Sequence, residues 1–197
     1  MKKIFLLLFL LTLFSGYSQP SSPAPTPTKL QSDVVSFYSD AYTAAFGTVN
    51  WTNATDSPIS GNATKLATSV TFAQGATAST SITGMTFIHV DVYSTNANAS
   101  QIKVQVNGTV GSAIATPNGV WTSLDIPLSN YSNPSTVNLV NLQPYAGAGT
   151  FYFDNIYFYK IASVPATPAP TPTKQTPTWF CFLSFSLLFF ALFFRLT

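Results

Sequence analysis

The chain has 197 residues, and its eight basic and six acidic residues give a formal charge of +2. Residues 33–160 hold six aspartates and three lysines, so this part is mildly acidic and lacks the clustered Lys and Arg that binding to nucleic-acid phosphates requires. The single cysteine, Cys181, excludes a disulfide framework within one chain.

The N-terminus has the features of a secretory signal peptide. Met1-Lys2-Lys3 is a basic start, residues 4–14 are apolar, and small residues follow at 15–18. We therefore assign residues 1–19 to a signal peptide and expect an exported protein, extracellular or on the cell surface.

Two Pro/Thr-rich stretches flank the middle of the chain, at residues 20–32 and 163–178. Alternating proline favours extended polyproline-like backbone and builds no packed core, which predicts semi-rigid spacers. Recognition of these prolines by a partner domain is the alternative interpretation.

Residues 33–162 read as one all-β domain. Val, Thr, Tyr and Phe occur in short alternating runs that Gly, Asn, Ser and Pro interrupt, and no long helical pattern is present. Several short strands at this spacing predict an antiparallel β-sandwich. The predicted strands are 34–38, 63–72, 86–93, 101–106, 120–127, 138–144 and 149–159.

Strict alternation assigns side chains to faces on two of these strands. In the strand 86–93, Ile88, Val90 and Val92 point to one side, and Phe87, His89, Asp91 and Tyr93 point to the other. In the strand 101–106, Lys103 and Gln105 oppose an apolar set. We expect the polar residues of the two strands to form one surface.

That surface has the chemistry of a sugar-binding site, which needs an aromatic ring beside amide and carboxylate groups. His89, Asp91 and Tyr93 supply the mixture, and Lys103 and Gln105 extend it. A solvated face covered by a loop is the alternative. Trp51 is a second aromatic platform or a plug closing one end of the sandwich.

Other large residues are assigned to the core. Trp121 lies in an apparent framework strand and is predicted to pack inside. Phe151, Phe153, Ile156 and Phe158 are predicted to be core residues, with a kink at Asp154-Asn155 that changes their register.

Catalysis is not expected of this chain. Glycoside hydrolysis normally needs two flanking carboxylic acids, and the six acidic residues are all aspartates spread along the chain. The single histidine lies beside no nucleophile motif, and it cannot form a zinc cluster with the one cysteine in the tail.

Residues 179–197 form an apolar C-terminal tail. Sixteen helical residues reach about 24 Å, less than the hydrocarbon core of about 30 Å, so a membrane segment here would be short. Membrane anchoring, a cleaved sorting signal and an out-of-frame continuation of a longer gene remain the three interpretations.

Six segments together resemble a known accessory domain: PTPTK at 25–29, VVSFYSDAY at 34–42, GNATK at 61–65, MTFIHVDVYS at 85–94, GVWTSLDIPL at 119–128 and YFDNIYF at 152–158. The domain is carbohydrate-binding-like, has a galactose-binding-like jelly-roll fold, and accompanies secreted bacterial glycoside hydrolases such as laminarinase-like enzymes. No catalytic domain follows the second Pro/Thr stretch here.

The resemblance implies a polysaccharide ligand and polysaccharide-degrading enzymes as possible partners. It also implies a structural calcium ion, for which Asp40 and Asp154 are the candidate ligands by resemblance; if the ion is absent, these aspartates cap turns. In relatives the motif at 85–94 often has tryptophan where this chain has Tyr93.

We therefore expect a non-catalytic extracellular module that holds polysaccharide, β-glucan-like or related, near the cell or a partner enzyme. The alternative is a structural or adhesive spacer with no specific sugar ligand.

Overall fold

The computed structural model describes residues 19–161. The predicted signal peptide up to residue 18, the second Pro/Thr stretch and the apolar tail lie outside the described residues. Within 19–161, no helix is long and apolar enough to cross a membrane.

The described chain is built from strands joined by turns and by short 3₁₀ segments at Gln31–Asp33, Ala97–Ala99 and Leu128–Tyr131. The strands are β1 (Val34–Tyr38), β2 (Asn50–Thr52), β3 (Thr55–Asp56), β4 (Lys65–Val70), β5 (Ala73–Ser81), β6 (Phe87–Ser94), β7 (Gln101–Val106), β8 (Thr109–Ala115), β9 (Trp121–Pro127), β10 (Thr136–Pro144) and β11 (Gly149–Tyr159).

These strands form two sheets. The six-stranded sheet has the order β3-β4-β11-β6-β9, with β1 also paired to β11, and the five-stranded sheet has the order β2-β5-β10-β7-β8. Every strand pair is antiparallel. The prediction of an all-β antiparallel sandwich is confirmed.

The core lies between the sheets and follows the alternation in the sequence. Ile88, Val90 and Val92 on β6 are fully buried, as are the apolar residues of β7 that belong to the same core cluster. Burying one such side chain contributes roughly 1.5–3 kcal/mol. This apolar cluster holds the two sheets together.

The C-terminal strand β11 behaves as predicted. Phe151, Phe153, Ile156 and Phe158 are all fully buried. The inward positions change from odd-numbered residues before the bulge to even-numbered residues after it. The register with β6 shifts between Asp154 and Tyr157, and Asn155 adopts a positive φ of 51° there.

The prediction that Trp121 packs in the core is wrong. It lies on the outer surface of the six-stranded sheet, opposite Tyr93, and is only partly buried. Leu124 and Ile126 are the residues by which β9 enters the core. Regular alternation along β9 places Trp121 on the same face as Ser123 and Asp125, which is the outer one.

Candidate functional site

Residues 20–29, here called the strap, lie across the outer surface of the six-stranded sheet. The indole Nε1 of Trp121 donates to the Ser22 carbonyl at 2.9 Å, Asn155 Nδ2 donates to the Pro25 carbonyl at 3.1 Å, and the Tyr42 hydroxyl donates to the Lys29 carbonyl at 3.1 Å. The predicted spacer at 20–32 thus makes defined contacts with the domain.

A polar network lies on the sheet next to the strap, centred on Asp91. Its carboxylate, 1% exposed, accepts hydrogen bonds from the Ser123 hydroxyl and from Asn155 Nδ2, the latter at 2.8 Å. His89 places Nε2 3.3 Å from Asp91 and Nδ1 2.8 Å from Asp125. Asn155 therefore joins the buried carboxylate to the strap.

His89 is held between two carboxylates and a ring. Burial alone would lower its pKa, but hydrogen bonds to Asp125 and Asp91 outweigh burial and raise the pKa from 6.5 to about 9. The ring also stacks on Tyr157, with centroids 4.5 Å apart and planes 17° from parallel. The protonated imidazolium is thus the form present at neutral pH.

The geometry does not assemble a catalytic triad from these groups. Both ring nitrogens of His89 face carboxylates, and the Ser123 hydroxyl donates to Asp91 rather than to the imidazole. A general base needs a free, unprotonated nitrogen within reach of the nucleophile. A cavity of about 240 Å³ separates the strap from these residues.

Tyr93 lies at the other end of the strap and is half-buried. Its ring packs edge-on against Trp121 and Tyr152, with centroids 5.7 and 6.3 Å apart. Ser22 and Pro23 of the strap line a cavity of about 310 Å³ with Tyr93 and Trp121. The face predicted for sugar is therefore covered along its middle, where His89 is 8% exposed.

The expectation that Lys103 and Gln105 extend this surface is wrong. The chain crosses between the sheets after β6, so β7 belongs to the five-stranded sheet and its outward side chains lie on the opposite side of the sandwich. Alternation assigns a side chain to a face of its own strand, but it does not say which sheet the strand joins.

Trp51 lies in neither of these outer surfaces. It pairs with Gly75 and packs its ring against Phe153, Tyr38 and Phe37, at centroid distances of 5.0, 5.5 and 6.1 Å. A Cβ on Gly75 would come within 3.0 Å of the Trp51 ring, so only glycine leaves room for this contact. Of the two interpretations from sequence, this packing agrees with the plug.

The outer surface of the five-stranded sheet, here called the amide face, brings together side chains that the sequence analysis named only in part. One row of paired residues runs Thr52, Gln74, Asn141 and Gln105 across four strands. Asn141 is 5% exposed, and its Oδ1 has no hydrogen-bond partner among the described residues. The oxygen itself is buried, so a ligand hydroxyl would reach it only if neighbouring side chains on the amide face moved aside.

The next row on the amide face adds an aromatic ring. Gln143 pairs with Lys103, whose Nζ lies 4.9 Å from the ring centroid of Tyr145. Tyr145 is 57% exposed. Gln74, Asn141, Gln143 and Tyr145 were missed from sequence, although the alternation of Asn141 and Gln143 with Val140 and Leu142 in β10 indicates an outward polar pair.

The predicted calcium ligands lie at the loop after β1 and at the β11 bulge. Asp40 accepts hydrogen bonds from Asn62 Nδ2 and the Ala63 backbone N–H, at 3.2 and 3.1 Å. Asp154 is fully buried, and burial raises its pKa to about 7.

Three buried side-chain oxygens on β1 and at the β11 bulge have no hydrogen-bond partner among the described residues: Ser36 Oγ, Tyr38 Oη and Asp154 Oδ2. Oδ1 of Asp154 accepts from the Asn155 backbone N–H, whereas Oδ2 is buried without a hydrogen-bond partner among residues 19–161. No group of three or more Asp, His or Cys side chains converges on a metal position in that range. Further oxygen ligands would have to be carbonyls, hydroxyls or water.

No family model and no curated protein matches the chain. The solved structures similar to it include family 29 carbohydrate-binding modules. Two variants of CBM29-2 are 12% and 10% identical to it, over 64% and 70% of this chain and 83% and 99% of theirs, with TM-scores of 0.46 and 0.47. A CBM29-2 variant complexed with mannohexaose is 12% identical, over 64% of this chain and 89% of its own, with a TM-score of 0.46.

Proposed function

We propose that the chain is a non-catalytic glycan-binding module whose ligand surface is the amide face. The observation that carries the proposal is Asn141, a nearly buried amide at the centre of that face with an acceptor oxygen that the described protein leaves unpaired. Leaving such a group unpaired costs about 1–3 kcal/mol, and a ligand hydroxyl would remove that cost.

The surroundings of Asn141 suit a neutral polysaccharide. Gln74 and Gln105 flank it, and the five strands of this sheet contain one charged residue, Lys103. Amides both donate to and accept from sugar hydroxyls, and the exposed ring of Tyr145 offers a flat surface to a pyranose ring. A β-glucan-like chain is the ligand that we propose, held outside the cell or beside an enzyme that degrades it.

The same face argues against hydrolysis. The residues of these five strands include no carboxylate. A glycosidase places two such groups on either side of the bond that it cleaves. Binding without cleavage is the function that this surface supports.

Replacement of Asn141 by alanine tests the assignment. We expect retention of the full chain on insoluble laminarin-type glucan, cellulose or xylan to weaken about tenfold, because one buried hydrogen bond of about 1.4 kcal/mol is lost. The melting temperature is expected to change little, since the Asn141 side chain accepts no hydrogen bond from the described protein at Oδ1.

Tyr93→Ala is the matched control, because it removes an aromatic ring from the opposite sheet. If Tyr93→Ala is retained as well as the parent chain, the result supports the amide face as the ligand surface. Loss of retention in Tyr93→Ala with normal retention in Asn141→Ala would move the site to the face under the strap. Failure of the parent chain to bind any of the polymers would favour the structural spacer.

We also propose that Asp154, with Asp40, holds a structural calcium ion. The unpaired Oδ2 of the buried Asp154 supports this proposal, because calcium takes carboxylate oxygens readily. At a calcium concentration about 100 times the Kd, binding to the folded state adds about 2.7 kcal/mol of stability.

Thermal unfolding with calcium and with a chelator measures the effect. We expect calcium to raise the melting temperature by several degrees, and Asp154→Asn to abolish the increment. Magnesium, which demands a stricter geometry, serves as the control ion. Equal melting temperatures with calcium and with the chelator would refute the proposal.

A further inference from the structure

The strap docks through its backbone and its buried small residues. Trp121 and Asn155 donate hydrogen bonds to the carbonyls of Ser22 and Pro25. These two carbonyls are three residues apart, which matches the three-residue turn of a polyproline II helix. Pro20 and Ala24 are buried, and the Lys29 ammonium lies 4.5 Å from the Tyr159 ring centroid. The surface thus recognises an extended proline-rich segment that ends in lysine.

The chain contains the docked sequence twice. Residues 23–29 read Pro-Ala-Pro-Thr-Pro-Thr-Lys, and residues 168–174 read the same seven residues in the same order. The second copy carries the small residue equivalent to Ala24, the proline equivalent to Pro25 and the lysine equivalent to Lys29. Whatever the sheet recognises in the first heptapeptide is also present in the second.

We propose that the strap surface is a receptor for this heptapeptide, and that residues 168–174 of one chain dock on the strap surface of a second copy of the chain. The surface then takes its own strap in an isolated molecule and the neighbour's heptapeptide in an assembly. This self-association is separate from glycan binding, because the amide face lies on the other side of the sandwich.

The geometry favours a second copy over the same molecule. The strap runs from Trp121, which pairs with Tyr93, to Tyr159, which pairs with Phe87 at the other end of β6. Six residues of strand separate these two ends by about 20 Å. The chain leaves the domain after β11, at the lysine end of the strap.

To dock in the same direction in its own molecule, the second heptapeptide would first have to return to the Trp121 end. The seven residues 161–167 reach at most about 25 Å when fully extended, so a connection over about 20 Å would have little slack. A neighbouring chain has no such restriction.

Competition with the chain's own strap sets the conditions for exchange. A covalently attached segment acts at an effective concentration in the millimolar range, so the strap wins in dilute solution. Exchange is expected when the strap is weakened or when chains are concentrated.

The test uses the full chain with residues 23–29 replaced by a flexible glycine-serine heptapeptide. We expect this chain to form dimers or larger species by sedimentation at tens of micromolar. A chain in which 168–174 is replaced as well should be monomeric, and it has the same apolar tail as a control for tail-driven association. Equal masses for the two chains would overturn the proposal.

A second measurement applies if the replaced chain is unfolded by circular dichroism. The intact chain is titrated with a fluorescein-labelled peptide of sequence Pro-Ala-Pro-Thr-Pro-Thr-Lys, and with the same residues in reverse order, up to about 10 mM, which exceeds the effective concentration of the chain's own strap. Saturable binding of the first peptide alone supports the proposal. Indistinguishable behaviour of the two peptides contradicts it.

Discussion

Replacement of His89 by leucine is expected to destabilise the fold by roughly 3 kcal/mol near pH 7, since it leaves the buried Asp91 carboxylate without its cationic neighbour. For a domain of this size the melting temperature should fall on the order of 10 °C. Thermal unfolding followed by circular dichroism measures the loss.

The same variant should remove a pH dependence. The folded-state pKa of His89 is raised from 6.5 to about 9, so its stabilising contribution is complete below pH 6.5 and is lost as pH rises through 9. The shift corresponds to roughly 3 kcal/mol. Parent stability should therefore decrease between pH 6.5 and 9. Asp154, whose pKa burial raises to about 7, adds a decrease in both chains that is largely complete by about pH 8, so the decrease between about pH 8 and 9 is the part that His89→Leu should lack.

Other groups around His89 do not reproduce this slope. The pKa of Asp125 is lowered by its hydrogen bond to His89, so Asp125 affects stability only in acid. Burial raises the pKa of Tyr159 to about 12, and that of Tyr157 also rises, both above the window. Lys29 and the Asp91 carboxylate complete the charged surroundings. A parent chain whose stability is flat from pH 6.5 to 9 would show that His89 is not held as an imidazolium.

Trp51→Ala is the second large effect that we expect. Loss of a ring packed on Phe153, Tyr38 and Phe37 should cost roughly 3–4 kcal/mol and lower the melting temperature on the order of 10 °C. Retention on polysaccharide, measured on the folded fraction below the transition, should remain at the parent level.

Tyr145→Ala provides the opposite pattern and the control. Its ring is 57% exposed on the amide face, so its removal should leave the melting temperature nearly unchanged and weaken retention. If Trp51→Ala instead keeps its melting temperature and loses polysaccharide, Trp51 is a binding platform and the plug interpretation is wrong.

The strands whose bounds could be predicted from the sequence are those with bulky alternating residues. β1, β7 and β11 have the predicted bounds, because Val, Ile and Phe recur there with a period of two. β5 and β8 were missed because they consist largely of Ala, Gly, Ser and Thr, which carry little alternation. In β5, Gly75 is required by the rings of Phe37 and Trp51, a constraint that exists only in the packed molecule.

The candidate site was harder to predict for two physical reasons. Whether β6 and β7 share a sheet depends on how the chain crosses the sandwich, which the pattern within each strand does not encode. The contacts of the strap use backbone carbonyls, which every residue has, so a Pro/Thr composition looks the same in a free spacer and in a docked segment.

The position of β11 has a consequence for the order of folding. This strand lies inside the six-stranded sheet and pairs with β1, β4 and β6, yet it is the last strand that the described chain reaches. Until residues 149–159 are available, the edges of β1, β4 and β6 that β11 will cover stay unpaired, and the core lacks Phe151, Phe153 and Phe158. The sandwich can therefore close only after nearly the whole domain has been synthesised, through contacts between distant parts of the chain that form slowly.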